Sequence, residues 1–346
     1  MKESSDRRPT IRDVAKRAHV GLMTVSRVIN NHPSVRPGTL KKVHAAIAEL
    51  GYQQNEAARL LKGLRAKLIG LIVPDLSDAF FASCAHTVQS IARAHGYMTL
   101  IVASNRDSDL EIQQAELMAS RRISGLLVVT STTGGDDRLK KVQDAGLPIV
   151  ALDRPLSGMK TDAVVVENRL GAEEAVHHLL KHGHRHIACV GYGQGVYTVR
   201  ERIDGYFSCM REANLEPSTA FGLETLESTQ KWLTKALKAN EPPTAIFSLN
   251  HRTSLFLLQS LAKAKIALPQ GMALIGFDDF DFASVVSPPV TTVAQSPVEL
   301  AGRAMALLID KIERHGKGTE FAPAKIVLPA TLTIRASCGC TENSRV

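Results

Sequence analysis

From Leu68 onward, short and uniformly apolar runs alternate with helical stretches, and this pattern constrains the fold more than any other feature of the sequence. The runs are Leu68–Val73, Met98–Val102, Gly125–Val129, Pro148–Leu152, Ala163–Val166, Ile187–Val190, Ala245–Leu249 and Ala273–Phe277. Strands that are apolar throughout are typical of a parallel sheet covered by helices on both faces. Over about 270 residues, the pattern predicts an α/β core of two doubly wound subdomains. We expect these to comprise about 68–161 with 292–322 and about 162–291 with 323–340.

The segment that precedes this core, residues 1–54, contains short helical patterns and no run typical of a strand. Thr10 and Asp13 have the spacing of a capping box, which predicts the start of a helix. Residues 15–30 predict a helix, a tight turn and a second helix, and a third helix is expected to begin near Pro37. A helix-turn-helix lets its second helix enter the major groove of DNA while the first spans the backbone.

The positive charge of the chain is concentrated at this N-terminal end. The chain carries 42 Lys and Arg against 34 Asp and Glu, a net charge of +8 with a pI near 9.3. Residues 1–67 hold 14 of the basic and 5 of the acidic side chains, so they carry +9 and the remainder carries −1. An anionic partner would therefore bind the N-terminal end. There Thr24, Ser26 and Arg27 can contact the phosphates or base edges of double-stranded DNA.

Composition bounds the remaining possibilities. With 44% hydrophobic residues the chain can bury a large core, which excludes a disordered or collagen-like protein. The sequence shows neither a secretory signal nor a run of about 18 apolar residues, so we expect a cytoplasmic protein with no membrane partner. The five cysteines are scattered, which favours free thiols over a disulfide framework.

Motifs in both parts of the chain carry a close resemblance to a known family. The N-terminal part contains Thr10-Ile11-Arg12-Asp13-Val14-Ala15, Thr24-Val25-Ser26-Arg27-Val28-Ile29-Asn30, Leu50-Gly51-Tyr52 and Asn55-Glu56-Ala57-Ala58-Arg59-Leu60-Leu61. The core contains Gly183-His184-Arg185-His186-Ile187, Arg202-Ile203-Asp204-Gly205-Tyr206 and Ile275-Gly276-Phe277-Asp278. Over nearly its whole length the chain resembles the lactose/galactose repressor family of bacterial transcription regulators. The resemblance implies a repressor whose core is similar to periplasmic sugar-binding proteins.

The resemblance, together with the helix positions, assigns a set of residues to DNA binding. They are Thr10, Leu22, Met23, Thr24, Ser26, Arg27, Asn30, Asn55, Ala58, Leu61 and Lys62. Leu22 and Met23 stand where family members vary to select their operators, so apolar contact with thymine methyls is expected. The chain departs from the family at His19, where a turn glycine is usual, and at Gly21, where a serine often contacts phosphate. Histidine tolerates the left-handed conformation that this turn requires.

A hinge helix and linker are expected over residues 55–67. Asn55 caps a helix of about two turns that Gly63 ends, and a free helix of that length is marginal in water. In the family such a helix folds only on operator DNA, where a leucine at the position of Leu61 wedges into the minor groove. An ordinary linker is the alternative.

Candidate ligand-binding residues follow the strands of the core, because open parallel sheets bind ligands at the carboxyl ends of their strands. They are Asp78, Phe80, Phe81, Asn105, Asp153, Tyr197, Thr198, Arg202, Asn250 and Asp278, with Arg106 beside them. Aromatic rings that stack on an apolar face, combined with charged and amide groups that bind hydroxyls, are typical of a sugar or nucleoside cleft. Many relatives have Asn-Asp at the position of Asn250-His251, so the chain departs from the family at this corner of the cleft.

Three further features could indicate a cofactor or metal site, and each has a simpler interpretation. Gly191, Gly193 and Gly195 lack the third glycine of a dinucleotide-binding loop, because residue 196 is valine. A group of histidines surrounds a helix end, namely His177, His178, His182, His184 and His186. Zinc binding is conceivable there, but exposed histidines at a helix C-terminus are the simpler interpretation. Cys338 and Cys340 allow a redox or metal role without supporting one.

These features together predict a transcription regulator that needs no cofactor and is not an enzyme. We expect a homodimer, because one helix-turn-helix makes few base contacts and two of them match a palindromic operator. A small-molecule effector, such as a sugar or sugar acid, would bind between the subdomains and change their relative angle. The short polar tail, residues 341–346, lacks the extra helix of tetrameric family members. An enzyme or a transport protein with the same core would need a catalytic cluster or an export signal.

Overall fold

The structure is a computed structural model, which describes residues 9–29, 32, 34–52, 65–131, 137–314 and 322–340. The chain divides into two compact units, Met1–Ala66 and Lys67–Val346. This division falls within a residue of the expected end of the linker. No helix of the described ranges combines the length and the apolar character needed to cross a membrane.

The N-terminal unit, called the head, contains three helices around a small core. They are α1 (Ile11–Ala18), α2 (Leu22–Ile29) and α3 (Pro37–Leu50). Each helix contributes buried aliphatic residues, namely Val14, Ala15 and Ala18 from α1, Val25 and Val28 from α2, and Val43 and Ala46 from α3. The helix-turn-helix expected from the sequence is confirmed.

Local chemistry explains where these helices begin and turn. The Asp13 carboxylate accepts hydrogen bonds of 2.7 Å from both the backbone N–H and the hydroxyl of Thr10, as a capping box requires. His19 adopts the left-handed conformation at φ 52° and ψ 44°, and its N–H closes the end of α1. The prediction that His19 accepts this strained turn is confirmed. Arg17 pairs with Glu49 at 2.8 Å, which joins α1 to α3.

The second unit, called the core, begins with a parallel six-stranded sheet. Its order is β11-β5-β4-β3-β1-β2. The strands are β1 (Leu68–Val73), β2 (Met98–Ala103), β3 (Gly125–Val128), β4 (Ile149–Leu152), β5 (Asp162–Val166) and β11 (Lys325–Leu328). Its helices are α4 (Ala79–Ala94), α5 (Ser108–Ser120), α6 (Asp137–Asp144) and α11 (Pro297–Arg314). Every strand pair in this sheet is parallel, and one apolar cluster lies on each face.

A second six-stranded sheet follows the same plan, in the order β12-β10-β9-β8-β6-β7. Its strands are β6 (Ile187–Val190), β7 (Ser218–Ala220), β8 (Ala245–Ser248), β9 (Ala273–Phe277), β10 (Thr291–Ala294) and β12 (Thr331–Thr333). Its helices are α7 (Asn168–Lys181), α8 (Tyr197–Glu212), α9 (Leu226–Ala236) and α10 (His251–Lys263), with a 3₁₀ turn at Asp281–Ser284. Only β12 runs antiparallel to its neighbour. The eight apolar runs expected as strands all form strands, and the two-subdomain α/β class is confirmed.

The strand order corrects the subdomain limits expected from the sequence. Asp162–Val166 belongs to the first sheet, where it pairs with β4 and β11, and Thr291–Ala294 belongs to the second. The late segment Lys325–Arg335 is two strands, one in each sheet. The chain therefore crosses between subdomains near residues 167, 295 and 329. Apolar composition predicts that a strand is buried but does not identify its partner, so these limits could not be placed from the pattern alone.

Close packing of α7 against α8 depends on a glycine. A Cβ atom at Gly205 would lie 2.5 Å from the carbonyl oxygen of Arg169 and 3.0 Å from the Cβ of Ala172. The backbone of α7 cannot move away without disturbing the rest of the second subdomain. By contrast, Gly302 in α11 has no heavy atom within 4 Å of the corresponding position among the described residues.

We predict that Gly205→Ala lowers the free energy of unfolding by about 1–3 kcal/mol, because the added methyl forces the two helices apart. Gly302→Ala is the matched control and should raise stability by up to about 1 kcal/mol, since alanine is the better helix former. Urea unfolding of both variants measures the difference. Equal effects of the two substitutions would contradict this account of the α7–α8 contact.

Candidate functional site

A cavity of about 400 Å³ lies between the two subdomains of the core. Its lining comes from loops that follow the strands, as expected at the carboxyl ends of parallel sheets. The first subdomain contributes Pro74, Asp78, Phe80, Phe81, Arg106, Ser131, Asp153 and Arg154. The second contributes Tyr192, Gly193, Val196, Thr198, Val199, Arg202, Glu224, Asn250, His251, Asp278 and Gln295. The volume is within the usual range for a small-molecule site.

A buried ion pair forms the floor of the cavity in the second subdomain. The guanidinium of Arg202, on α8, donates to both carboxylate oxygens of Asp278 at 3.2 Å. It also donates to the side chain of Asn168 at 2.8 Å and to the carbonyl of Leu249 at 2.6 Å. Its plane lies 3.6 Å from the ring centroid of Phe277. Arg202 is thus fully engaged within the protein, and it holds Asp278 in place.

A second acidic group, Asp153, faces the cavity from the first subdomain and is less well satisfied. One of its oxygens lies 3.3 Å from Nε of Arg154, without the alignment of a hydrogen bond, and its Oδ1 has no hydrogen-bond partner among the described residues. The side chain is buried, and burial raises the pKa of Asp153 despite the opposing effect of Arg154 and Arg202. Arg154 itself donates to the carbonyl of Thr130 at 2.8 Å.

Aromatic side chains line the remaining wall. Phe80 and Phe81 pack edge to face with ring centroids 5.2 Å apart, and Tyr192 lies across the cavity under the guanidinium of Arg106 at 5.2 Å. The side-chain oxygen of Asn250 accepts from the backbone N–H of Tyr192 at 3.1 Å, which fixes the loop after β6.

Several contacts cross from one subdomain to the other at the cavity. Arg252 lies 3.8 Å from Asp75, and His251 lies 3.9 Å from Asp78. Burial raises the pKa of Asp78, with His251 acting in the opposite direction. The departure at His251 thus places a basic group opposite Asp78, where an aspartate would place a second carboxylate.

Eight of the ten ligand-binding candidates line this cavity: Asp78, Phe80, Phe81, Asp153, Thr198, Arg202, Asn250 and Asp278. Asn105 and Tyr197 do not. Asn105 is exposed beside the cavity, where Arg106 lines it instead, and Tyr197 is half-buried at the start of α8, with Tyr192 lining the cavity in its place. Both differences have one cause, since the rule of strand ends locates a loop but not the residue that turns inward.

Four further lining residues were not expected from the sequence: Ser131, Arg154, Tyr192 and Gln295. Gln295 directly follows β10 and Arg154 lies two residues after β4, at positions where the same rule would have found them. Gln295 donates to Asp278 at 2.6 Å, and its Oε1 has no partner among the described residues. Because β10 was not among the strands expected from the sequence, Gln295 was not recognised as a residue at a strand end.

The candidate DNA-binding face of the head lies on α2. Leu22 and Met23 are 44% and 69% exposed, while Val25 and Val28 on the opposite side are fully buried. Arg27 is also exposed, and Thr10, Thr24 and Ser26 are half-buried. Asn30, Asn55, Ala58, Leu61 and Lys62, with most of the expected hinge helix and the tail, lie outside the described residues.

A helix-turn-helix head together with a two-lobed core that contains a small-molecule cavity defines a class, the ligand-binding DNA-binding regulators. The family described as periplasmic binding proteins and sugar binding domain of LacI family matches residues 66–334. The family described as bacterial regulatory proteins, lacI family, matches residues 10–55. The chain belongs to the LacI family and is a DNA-binding transcriptional regulator.

Individual relatives agree with this assignment. The HTH-type transcriptional regulator DegA of Bacillus subtilis (strain 168) is 33% identical over 95% of this chain and 97% of its own. The solved structure of the transcriptional regulator CelR–cellobiose complex has 29% identity and a TM-score of 0.68, covering 95% of this chain and 100% of that one. The lac repressor dimer bound to operator and the anti-inducer ONPF has the same fold, with 23% identity and a TM-score of 0.81 over 96% and 99% of the two chains.

We predict that Asp153→Asn stabilises the ligand-free core by about 1–2 kcal/mol near pH 7, because it removes a buried carboxylate that lacks a full set of partners. Because burial raises the pKa of Asp153 in the folded state, this residue lowers the free energy of unfolding least below its unfolded pKa, where it is protonated in both states. The free energy of unfolding then falls as the pH rises through the folded pKa. The gain from the substitution should therefore grow from about pH 4 towards pH 7 in urea unfolding.

The control for this experiment is Asp162→Asn. Asp162 is also buried, but it pairs with Lys311 at 2.6 Å and accepts from the N–H of Ala324 at 2.7 Å. Its replacement should lower stability. A gain from Asp153→Asn that does not change with pH would contradict the proposed cost of the ionised carboxylate.

Proposed function

We propose that this regulator is a dimeric repressor that binds a palindromic operator through its head and responds to a small sugar, sugar acid or related metabolite in the core cavity. The observation that supports it best is that two residues lining the cavity, Asp153 and Gln295, each carry a buried acceptor without a hydrogen-bond partner among the described residues, namely Oδ1 and Oε1. A buried acceptor without a partner costs free energy, and a hydroxyl-bearing ligand would supply the donor.

The rest of the lining fits such a ligand. Phe80, Phe81 and Tyr192 offer the apolar surfaces on which a sugar ring packs, and carboxylates and guanidinium groups surround them. Arg106 adds positive charge to the lining, which suits a sugar acid. The relative CelR was solved with cellobiose, which supports a carbohydrate effector for this chain as well.

The connections between subdomains suggest how binding alters DNA affinity. Three crossovers join the lobes, and the pairs Asp75–Arg252 and Asp78–His251 bridge them at the cavity. An effector that contacts both lobes would favour one relative angle and thereby change the spacing of the two heads in a dimer. Coupling of about 1–3 kcal/mol is typical of such linkage. The proposal includes a cytoplasmic, nucleoid-associated protein that needs no cofactor and performs no catalysis.

Operator binding combines two kinds of contact. Leu22 and Met23 would select bases by apolar contact with thymine methyls, and Thr10, Thr24, Ser26, Arg27 and Asn30 would bind phosphates or base edges. Asn55, Ala58, Leu61 and Lys62 would form the hinge segment, with Leu61 as the minor-groove wedge. The concentration of positive charge in residues 1–67 implies that DNA affinity falls steeply with salt.

The effector proposal is tested by a thermal-shift screen of neutral sugars and sugar acids, followed by operator binding measured by fluorescence anisotropy. We expect at least one compound to raise the melting temperature and to change operator affinity. Asp153→Asn should weaken the binding of that compound by about tenfold or more, since the substitution replaces the carboxyl group that the compound would contact, while operator affinity without the compound stays the same.

Asn105 provides the matched control, because it lies beside the cavity but does not line it. Asn105→Ala should leave effector affinity within about twofold of the wild type. Turnover of the bound compound would revive the enzyme alternative. A compound that binds equally well to wild type and Asp153→Asn would exclude the cavity contact.

Gly21 gives a test of the DNA face. Its carbonyl accepts from the N–H groups of Thr24 and Val25 at 2.9 and 3.2 Å, so it occupies the N-cap of α2. Among the described residues, an added Cβ would meet only Thr24 Oγ1, at 3.9 Å. We predict that Gly21→Ser raises affinity several-fold, by about 0.5–1.5 kcal/mol, for operator and random DNA alike, because it adds a phosphate-binding hydroxyl.

Met23→Ala is the contrasting variant, since it should weaken operator binding more than binding to random DNA and so reduce selectivity. Titrations with both DNAs at one fixed salt concentration measure the two effects. A gain from Gly21→Ser confined to operator DNA would argue against a phosphate contact.

A further inference from the structure

Four potential metal ligands meet at the far side of the second subdomain. His178 lies in the last turn of α7 and His182 follows that helix, while Cys338 and Cys340 lie in the segment after β12. The Nε2 atom of His178 is 3.2 Å from Sγ of Cys338 and 3.4 Å from Sγ of Cys340. The Nε2 atom of His182 is 3.1 Å from Sγ of Cys340. All four ligand atoms lie within 4.8 Å of one another.

This cluster changes the interpretation of the histidines and of the cysteine pair. From the sequence, exposed histidines were the simpler interpretation, because neither a pair of ligands on one face nor a thiol nearby was evident. The structure supplies both, a histidine pair and two thiols beside it. The three other histidines of the group have different contacts. His177 lies 3.5 Å from Glu212, His184 lies 3.0 Å from Thr244, and His186 lies 3.7 Å from Glu241.

The spacing of the ligand atoms suits zinc. Bonds of about 2.3 Å to sulfur and about 2.0–2.1 Å to nitrogen, arranged as a tetrahedron, require ligand atoms roughly 3.3–3.8 Å apart. The nitrogen–sulfur distances in the cluster are within a few tenths of an ångström of that requirement. Two thiolates and two imidazoles form a soft donor set that favours zinc over magnesium or calcium.

The fold holds the cysteines rigidly while one side stays open to solvent. Gly339 has φ 101°, a conformation that brings Cys338 and Cys340 to the same side and that other residues rarely adopt. Cys338 is fully buried, and its Sγ is 3.1 Å from the hydroxyl of Thr291, a hydrogen bond that would stabilise a thiolate. The hydroxyl of neighbouring Ser337 donates to the carbonyl of Leu274 at 2.5 Å. His182 is exposed and gives a metal ion a route of entry.

We propose that His178, His182, Cys338 and Cys340 bind one Zn²⁺ in a structural site. Four protein ligands complete a tetrahedron and leave no open position for a substrate, so the ion would stabilise the fold rather than catalyse a reaction. It would fasten the segment after β12 to the C-terminal end of α7. Binding releases the thiol protons to solvent as the two sulfur–zinc bonds form.

The site is separate from the effector cavity. Asn168, at the first residue of α7, contacts Arg202 on the cavity floor, and His178 lies ten residues along the helix, about 15 Å away. Zinc and effector should therefore bind independently to a first approximation, and the proposal does not depend on the identity of the effector.

The test uses the full-length protein purified under reducing conditions, with zinc measured by elemental analysis after dialysis. We expect about one Zn²⁺ per chain, and a melting temperature that falls when a chelator removes the metal and recovers when zinc is restored. Cobalt added to the stripped protein should give the visible bands of a tetrahedral site and near-ultraviolet thiolate charge-transfer bands. These bands report the geometry and the sulfur ligands directly.

Cys340→Ser and His182→Ala are the test variants, because both side chains reach the surface and their loss leaves the buried packing intact. Each should abolish stoichiometric zinc retention and the wild-type cobalt spectrum. His177→Ala is the matched control on the same helix and should change neither.

Three results would overturn the proposal. The first is wild-type protein, reduced and folded, that retains no zinc and gives no tetrahedral cobalt spectrum. The second is zinc retention that survives both test substitutions, which would place the metal elsewhere. The third is a Cys338–Cys340 disulfide, detected by mass spectrometry, that persists under the reducing conditions. None of these results bears on operator or effector binding.

Discussion

The second subdomain depends on one buried guanidinium. Arg202 brings together the start of α7 through Asn168, the end of β8 through Leu249 and the end of β9 through Asp278, and its plane covers Phe277. A charge so deeply buried is tolerated only because oxygen acceptors surround it. Removing one partner from such a pair typically costs about 3–5 kcal/mol, so the floor of the cavity is fixed before any effector arrives.

The two lobes use equivalent positions for different purposes. Asp153 follows β4 and Asp278 follows β9, and both adopt positive φ, at 67° and 72°. Asp278 is saturated by Arg202 and Gln295, whereas Asp153 retains an oxygen without a partner among the described residues. The Asp278 carboxylate therefore belongs to the scaffold of the cavity floor, whereas the Asp153 carboxylate carries the unsatisfied oxygen on which the proposed effector contact rests. A buried group that gains its partner only on ligand binding lowers the stability of the free protein, and binding restores that stability.

Sequence patterns predicted the local features of this structure but not the features that depend on long-range contacts. The apolar runs located the strands because burial on both faces leaves no place for polar residues. The capping box at Thr10 and the strained turn at His19 were also predictable, since each depends on residues close in sequence. The subdomain limits, the inward turn of Tyr192 and the meeting of His178 with Cys338 were not. Each of these depends on contacts between residues far apart in the chain, for which periodicity carries no information.

Helix α7 is held in place by three different kinds of contact along its length. Its first residue, Asn168, accepts from Arg202 at the cavity, and its last turn carries His178 beside the cysteines. Between them, Gly171 on α7 and Gly205 on the neighbouring α8 allow close approach, because a Cβ at Gly171 would lie 2.8 Å from the Cβ of Ala330 at a crossover between the lobes. The helix is thus held by a charged network at one end, by backbone contact in the middle and by a cluster of sulfur and nitrogen ligands at the other. These contacts attach α7 to the cavity floor at one end and to the crossover near residue 329 in the middle, so a rotation of the second lobe would carry both attachment points with it.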